Sequence, residues 1–111
     1  MSNISDKAIL EFVLQMIDEA EKVVLRHNGV YEALNDFEGK NAILLNIIQI
    51  GEKLKKIKSK ELFDILPIKS AYSMRNRITH DYDGVNLIIV EHIVSEELPL
   101  LKTKITNILK N

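Results

Sequence analysis

The sequence has no cysteine and no tryptophan, and its 111 residues include only two prolines and four glycines. The absence of cysteine excludes disulfides, a cysteine nucleophile and zinc sites built on thiolates. The longest apolar stretch, residues 42–50, is interrupted by Asn46 and Gln49 and is far shorter than the ~20 residues of a membrane span. No basic segment followed by an apolar run opens the chain, so no secretory signal is predicted. These absences favour a cytoplasmic location and no membrane segment.

The charged residues nearly cancel. Lys and Arg number 15 and Asp and Glu 16, for a formal net charge of -1. The 46% hydrophobic and 28% charged content is typical of a globular chain and argues against disorder. The length predicts a single domain over residues 1–111. A chain so close to neutral has no general attraction to nucleic acid, so any basic surface must be local.

Apolar residues recur at three- and four-residue steps, which predicts an all-α protein folded as an antiparallel bundle of four or five helices. Ser5 is expected to cap the first helix, and Gly29 to end it in a left-handed conformation. Pro99 is expected to break the last helical stretch or kink it at Leu98. The predicted helices cover residues 5–27, 37–57, 68–80, 86–97 and a last segment ending near 110; residues 30–36 extend the second helix or form a separate piece, and residues 59–66 form a short helix or turn.

The second long helix is apolar on nearly every side between residues 42 and 50. A helix without a clean polar face is usually covered on more than one side. In so small a chain this favours burial by a second subunit, and hence a homodimer. The alternative is a central helix in a monomeric bundle.

Five lysines follow this helix within eight positions: Lys53, Lys55, Lys56, Lys58 and Lys60. They are interpreted either as a solvated helix end, where cations are favoured by the helix dipole, or as a patch that attracts phosphate groups.

Residues 74–82 contain several side chains of the types found in catalytic sites. Arg75, Arg77, His80, Asp81 and Tyr82 lie where a predicted helix runs into a turn. Arg can clamp a phosphate through two parallel hydrogen bonds, and His can act as a general base or acid near neutral pH. These are the parts of a metal-independent ribonuclease, in which a base activates the ribose 2′-hydroxyl and Arg stabilises the phosphoryl charge. The alternative is a structural network of Arg, Asp and Tyr.

The spacing of the two candidate catalytic residues raises a geometric question. Arg75 and His80 are five residues apart, so on a straight helix they point about 140° away from each other. Either the helix ends before His80 and turns it round, or a dimer combines residues of both chains. The three histidines show no paired metal-ligand spacing, so no metal site is predicted. His27 is interpreted as structural, and His92 as a packing or surface residue.

The spacing Arg75, four residues, His80, one residue, Tyr82 resembles the signature of the HepT-type HEPN ribonuclease toxins. Asn76 matches the polar residue that commonly follows the Arg in that family. The family often has Trp after the Ile-Pro element that precedes the motif, whereas this chain has Ile68 and Lys69 at that point. Four further segments resemble the family: 50–52 (Ile-Gly-Glu), 66–68 (Leu-Pro-Ile), 81–86 (the turn after the His) and 98–101 (Leu-Pro-Leu-Leu).

The resemblance implies an HEPN-like homodimer whose two motifs face each other across a cleft, and an endoribonuclease that needs no metal or cofactor. Arg75 and His80 would be catalytic, Asn76 would support the site, and Arg77 is a further candidate for RNA contact. The resemblance also implies a type VII toxin–antitoxin system. Its partner is a small nucleotidyltransferase antitoxin of the MntA type, which would inhibit the toxin by transferring AMP to Tyr82.

The sequence is also compatible with two other interpretations of its function. In one, the chain is a non-catalytic helical module that docks a nucleotidyltransferase partner. In the other, it is a helical dimerisation protein with a structural Arg network. Glu52 receives no catalytic role, because a helix acid at this point can equally pair with a motif Arg and orient it.

Overall fold

A computed structural model describes the backbone of residues 4–110 and the side chains of residues 5–110, and all regular structure in this part of the chain is helical. This confirms the all-α prediction. None of the helices described is long and apolar enough to cross a membrane. The helices are α1 (Ile4–Arg26), α2 (Val30–Leu34), α3 (Phe37–Leu54), α4 (Lys60–Ile65), α5 (Ile68–His80), α6 (Leu87–His92) and α7 (Leu98–Lys110), with a π-helical turn (Ile93–Glu97) between α6 and α7.

Within the part of the chain that the structure describes, side-chain caps begin three helices. The carboxylate of Asp36 accepts a hydrogen bond from the Gly39 N–H at the start of α3, and Ser59 and Asn86 cap α4 and α6 in the same way. Each cap satisfies a backbone donor that has no partner within its helix. The predicted cap at Ser5 is wrong, because α1 begins at Ile4 and Ser5 lies inside the helix.

The end of α1 differs from its prediction by one residue. Asn28 takes the left-handed conformation (φ 63°), while Gly29 follows at φ 148°. The N–H groups of Asn28 and Gly29 donate to the carbonyls of Leu25 and Val24, at 3.2 and 3.0 Å. This hydrogen-bond pair is a Schellman motif, in which the left-handed position precedes the last donor. Asn tolerates that position because its short polar side chain can bond locally.

His27 joins this corner to the start of α3. Its Nδ1 lies 2.8 Å from the carbonyl oxygen of Val23, and its Nε2 lies 3.1 Å from the Asp36 carboxylate. The hydrogen bond to the Val23 carbonyl, followed by that to Asp36, raises the pKa of His27 above its ordinary value. The Gly39 N–H, followed by His27, lowers the pKa of Asp36. His27 therefore has a structural contact.

The helical path continues through Pro99, so the predicted break does not occur. Proline lacks the N–H that would bond to the carbonyl four residues earlier, and its ring clashes with that carbonyl. The π-helical turn Ile93–Glu97 widens the helix just before this point, which is a recognised way to absorb such a conflict. The distortion thus lies one turn earlier than the predicted kink at Leu98.

Helix α3 is the centre of the bundle and packs against α1 on one side and α5 on the other. Its apolar residues are therefore mostly covered within one chain. This agrees with the alternative interpretation of the sequence, a central helix in a monomeric bundle. Exceptions on its outer face include Leu45, which is 54% exposed, and Ile48, which is partly buried; Phe37, at the start of the helix, is 77% exposed. The buried apolar residues of α3 are Ile43, Leu44, Ile47, Ile50 and Leu54.

Gly51 lets α3 and α5 approach closely. A Cβ atom at Gly51 would lie 2.7 Å from both the Ala71 carbonyl oxygen and the Arg75 Cβ atom. No real side chain fits at that distance, so the absence of one fixes how near the two helices lie. The two helices run antiparallel, since Glu52 on α3 meets Arg75 while Asn41, nearer the start of α3, meets Tyr82 beyond the end of α5. This contact positions the predicted motif.

Asp6 fixes the loop between α3 and α4. Its carboxylate is fully buried and accepts hydrogen bonds from the N–H groups of Lys58 and Ser59, each at 2.9 Å. A buried carboxylate is tolerated only with such partners. The lysine-rich loop is thereby attached to the first helix.

Candidate active site

Helix α5 presents residues of the predicted motif on two different faces. Asn76, Arg77 and His80 line an open cleft of about 470 Å³, whose other wall is the turn after α5 and the start of α6. Arg75 lies on the face that packs against α3. The remaining face carries Met74 and Ile78, which are buried in the core. Since α5 is helical through His80, one chain does not direct Arg75 and His80 to a common point.

The turn below the cleft is shaped by Asp81 and Gly84. The Gly84 N–H donates to the Asp81 carboxylate at 3.1 Å, which closes an Asx-type turn. A side chain at Gly84 would overlap that carboxylate. Asn86 then caps α6, and Ile89 completes the cleft wall. The cleft therefore combines an exposed imidazole and an exposed guanidinium with a rigid, partly apolar wall.

Arg75 is held by three neighbours on the α3 side. Its Nη1 donates to the Asn76 side-chain oxygen at 3.0 Å, and its guanidinium lies 5.6 Å from the centroid of the Tyr72 ring. Its Nε is 3.5 Å from a carboxylate oxygen of Glu52, yet it is buried and has no hydrogen-bond partner among the residues described. Glu52 thus pairs with Arg75, one of the two options left open by the sequence. Asn76 links Arg75 to the cleft that contains His80.

Tyr82 turns back towards α3. Its hydroxyl donates to the Asn41 side-chain oxygen at 2.8 Å, and its ring packs against the core. Burial, and next the negative charge of Asp83, raise the pKa of Tyr82 above its ordinary value. The phenol is therefore protonated at neutral pH and can act as the donor to Asn41.

Some contacts at this site were not predicted. Asn41 is separated from Tyr82 by 41 positions, and nothing in the sequence signals that pairing. Tyr72 lies three residues before Arg75, a spacing that places neighbours on one helix face, and this signal could have been used. Within residues 4–110, no group of three or more His, Asp or Glu side chains is placed to hold a metal ion.

These features define an all-α bundle in which α5 and the turn after it carry an Arg, a His and a Tyr. The family model "Ribonuclease HepT-like" matches residues 13–108, and the chain therefore belongs to the HepT-like ribonuclease family. No solved structure gives a significant match.

Curated relatives agree with this assignment. "Putative RNase MJ1216" of Methanocaldococcus jannaschii is 30% identical over 95% of this chain and 88% of its own length. "Putative RNase MJ0125" of the same organism is 28% identical over 95% of this chain and 91% of its own length. "Putative RNase TTE0752" of Caldanaerobacter subterraneus is 29% identical over 91% of both chains.

The contacts of Arg75 predict a small effect of its removal on folding. The Arg75 side chain is 29% exposed and its ion pair with Glu52 is open to solvent, so Arg75→Ala should lower the free energy of unfolding by only about 0–1 kcal/mol. Ile78→Ala, on the same helix but fully buried, should cost about 2–5 kcal/mol. Urea unfolding followed by circular dichroism measures both. A loss at Arg75 as large as that at Ile78 would support the structural-network reading instead.

Proposed function

We propose that this protein is a metal-independent endoribonuclease, with His80 as general base and Arg75 as the phosphate clamp. Membership of the HepT-like ribonuclease family supports an RNA substrate. The observation that carries the proposal is the exposed His80 in an open cleft beside Asn76, which is itself hydrogen bonded to Arg75.

The reaction follows from these two groups. His80 removes the proton of the ribose 2′-hydroxyl, and the 2′-oxygen attacks the adjacent phosphorus. The bond from phosphorus to the 5′-oxygen breaks, and the departing oxygen takes a proton from water to become a 5′-hydroxyl, while the protonated His80 releases its proton to solvent. Arg75 stabilises the charge that develops on the phosphoryl oxygens. The products are a 2′,3′-cyclic phosphate and a 5′-hydroxyl end.

Removal of His80 should slow cleavage strongly without unfolding the chain. General-base catalysis contributes roughly 10²–10⁴-fold, so His80→Ala should cleave labelled RNA more slowly by that factor. The parent protein should cleave at the same rate with and without EDTA.

RNA carrying a 2′-deoxyribose at the cleavage position is the control, because it lacks the nucleophile. Undiminished cleavage by His80→Ala, with an unchanged helical spectrum, would refute the assignment. RNA left intact by the unmodified parent would favour the binding-module alternative.

The active unit is proposed to be a homodimer that shares its catalytic residues. On the outer face of α3, Leu45 and Ile48 lie between Asn41, which holds Tyr82, and Glu52, which holds Arg75. These positions repeat at three- and four-residue steps along one helix face. A second chain that covered Leu45 and Ile48 would therefore meet both ends of the motif. It could also place its own His80 near Arg75 of the first chain. Within one chain, the helical path of α5 keeps these two side chains apart.

A mixed dimer tests this sharing. Arg75→Ala and His80→Ala chains carrying different affinity tags are co-expressed, and the heterodimer is isolated by two successive purifications. If Arg75 of one chain works with His80 of the other, one complete pair remains and cleavage returns to roughly half of the parent rate. Each mutant homodimer, purified in the same way, should remain inactive. A heterodimer as inactive as the two homodimers would overturn the shared site.

Tyr82 is proposed to be the point of control in a type VII toxin–antitoxin system, with a nucleotidyltransferase antitoxin of the MntA type as partner. The Tyr82 oxygen would attack the α-phosphorus of ATP, pyrophosphate would leave, and the phenolic proton would pass to a base of the partner. The modified oxygen carries no hydrogen and can no longer donate to Asn41. The attached phosphate would add negative charge to the proposed path of the RNA and compete with RNA for Arg75.

The acceptor can be identified by mass. With the partner enzyme and ATP, the parent chain should gain about 329 Da for each AMP attached, while Tyr82→Phe should gain none. Tyr31→Phe and Tyr72→Phe are matched controls that keep Tyr82 and should be modified like the parent. Modification of the Tyr82→Phe chain would refute Tyr82 as the acceptor.

A further inference from the structure

Positive charge is concentrated in one quarter of the chain. Residues 52–77 contain six lysines and two arginines against three acids, whereas the other positions contain seven basic and thirteen acidic residues. The overall charge of -1 therefore conceals a basic segment. This segment comprises the end of α3, the following loop, α4 and most of α5.

The helix dipole does not explain these lysines as a group. It favours cations at the last turn of a helix and disfavours them in the first turn. Lys53 lies in the last turn of α3 and fits that rule. Lys60 is instead the first residue of α4, and Lys69 is the second residue of α5. The helix dipole therefore does not account for Lys60 and Lys69.

One lysine of the basic segment, Lys55, lies close to the proposed site because it contacts the same ring, Tyr72, as Arg75. The Lys55 Nζ lies 4.9 Å from the centroid of that ring, and the Arg75 guanidinium lies 5.6 Å from it. Cations within about 6 Å of a ring centroid are attracted to its face. We call these three residues, Lys55, Tyr72 and Arg75, the Tyr72 platform. The Tyr72 ring thus contacts two cations, one in the loop after α3 and one on α5.

The acids near the platform leave Lys55 without an opposing carboxylate. Glu52 pairs with Arg75, and the buried Asp6 is bound to the backbone of the α3–α4 loop. Glu61 and Asp64 lie on α4 and are exposed. Lys55 is exposed and takes part in no ion pair among the residues described. Its charge is available to an external anion.

We propose that the Tyr72 platform is a subsite for the backbone of single-stranded RNA, in which Lys55 contacts a phosphate next to the one held by Arg75. The Tyr72 ring keeps the two cations together, so the strand enters the site along the end of α3. This inference rests on the proposed ribonuclease function and extends it to substrate binding outside the cleft. Because only phosphates are contacted, the subsite does not distinguish one base from another.

Salt dependence of binding measures a phosphate contact directly. Each contact to a single strand contributes about 0.7 to the slope of log K against log salt. Binding is measured by fluorescence anisotropy with 12-nucleotide oligouridylate and oligoadenylate. All variants carry His80→Ala, so that the RNA is not cut. Lys55→Gln should reduce the slope by about 0.7 and weaken binding about fivefold at 0.1 M salt, equally for both RNAs.

Two further variants test the rest of the platform. Lys104→Gln removes the same charge from the exposed side of α7 and should leave the slope unchanged. Tyr72→Leu should weaken binding at least as much as Lys55→Gln, because it releases both cations, whereas Tyr72→Phe keeps the ring and should bind as the parent does. If Tyr72→Leu does not fold, the comparison of Lys55→Gln with Lys104→Gln still decides the result.

Several outcomes would overturn the subsite: equal slopes for Lys55→Gln and the parent, equal losses for Lys55→Gln and Lys104→Gln, or no binding of either RNA. These results are distinct from failure of the proposed function. A protein that cleaves no RNA in the assay with EDTA, yet binds it with the slopes given above, would retain the subsite and lose the ribonuclease assignment.

Discussion

The close contact between α3 and α5 at Gly51 determines the rest of the site. With no side chain at that position, the backbone of α5 lies directly against α3. Next to Gly51, this packing places Arg75 beside Glu52. Nearer the start of α3, it places Tyr82 beside Asn41. Glycine normally weakens a helix, so its place in the middle of α3 is explained by packing. Most of the motif is thereby attached to the packed helix pair α3 and α5.

The continuation of α5 through His80 has an equally direct consequence. A straight helix separates Arg75 from His80 by about 140° around its axis, and the structure places one against α3 and the other in the open cleft. The buried Arg75 Nε without a hydrogen-bond partner is unusual, because buried polar groups are nearly always satisfied. Both features are consistent with a site that is completed by a second chain and by the substrate phosphate. The proposed dimer and RNA subsite follow from this incompleteness.

Charge segregation offers a way for a nearly neutral protein to bind a polyanion. The basic segment between residues 52 and 77 lies beside the proposed site, and the excess of acids lies in the other positions. Electrostatic attraction is strongest at short range in salt solution, so local charge matters more for RNA binding than the total. Attachment of AMP to Tyr82 would act on the same balance by adding negative charge to the motif.

The sequence by itself determined the all-α class, most helix limits and the position of the motif, because helical periodicity, capping residues and short motifs are local properties. Local rules also had limits: Asn28 rather than Gly29 takes the left-handed conformation, and a π-helical turn absorbs the conflict at Pro99. Only the tertiary structure decided that Arg75 and His80 face different ways, that Tyr82 pairs with Asn41, and that Lys55 and Arg75 share the Tyr72 ring. The contacts of Tyr82 with Asn41 and of Lys55 with Tyr72 join residues distant in the chain, and they depend on how closely α3 and α5 pack, which no local pattern encodes.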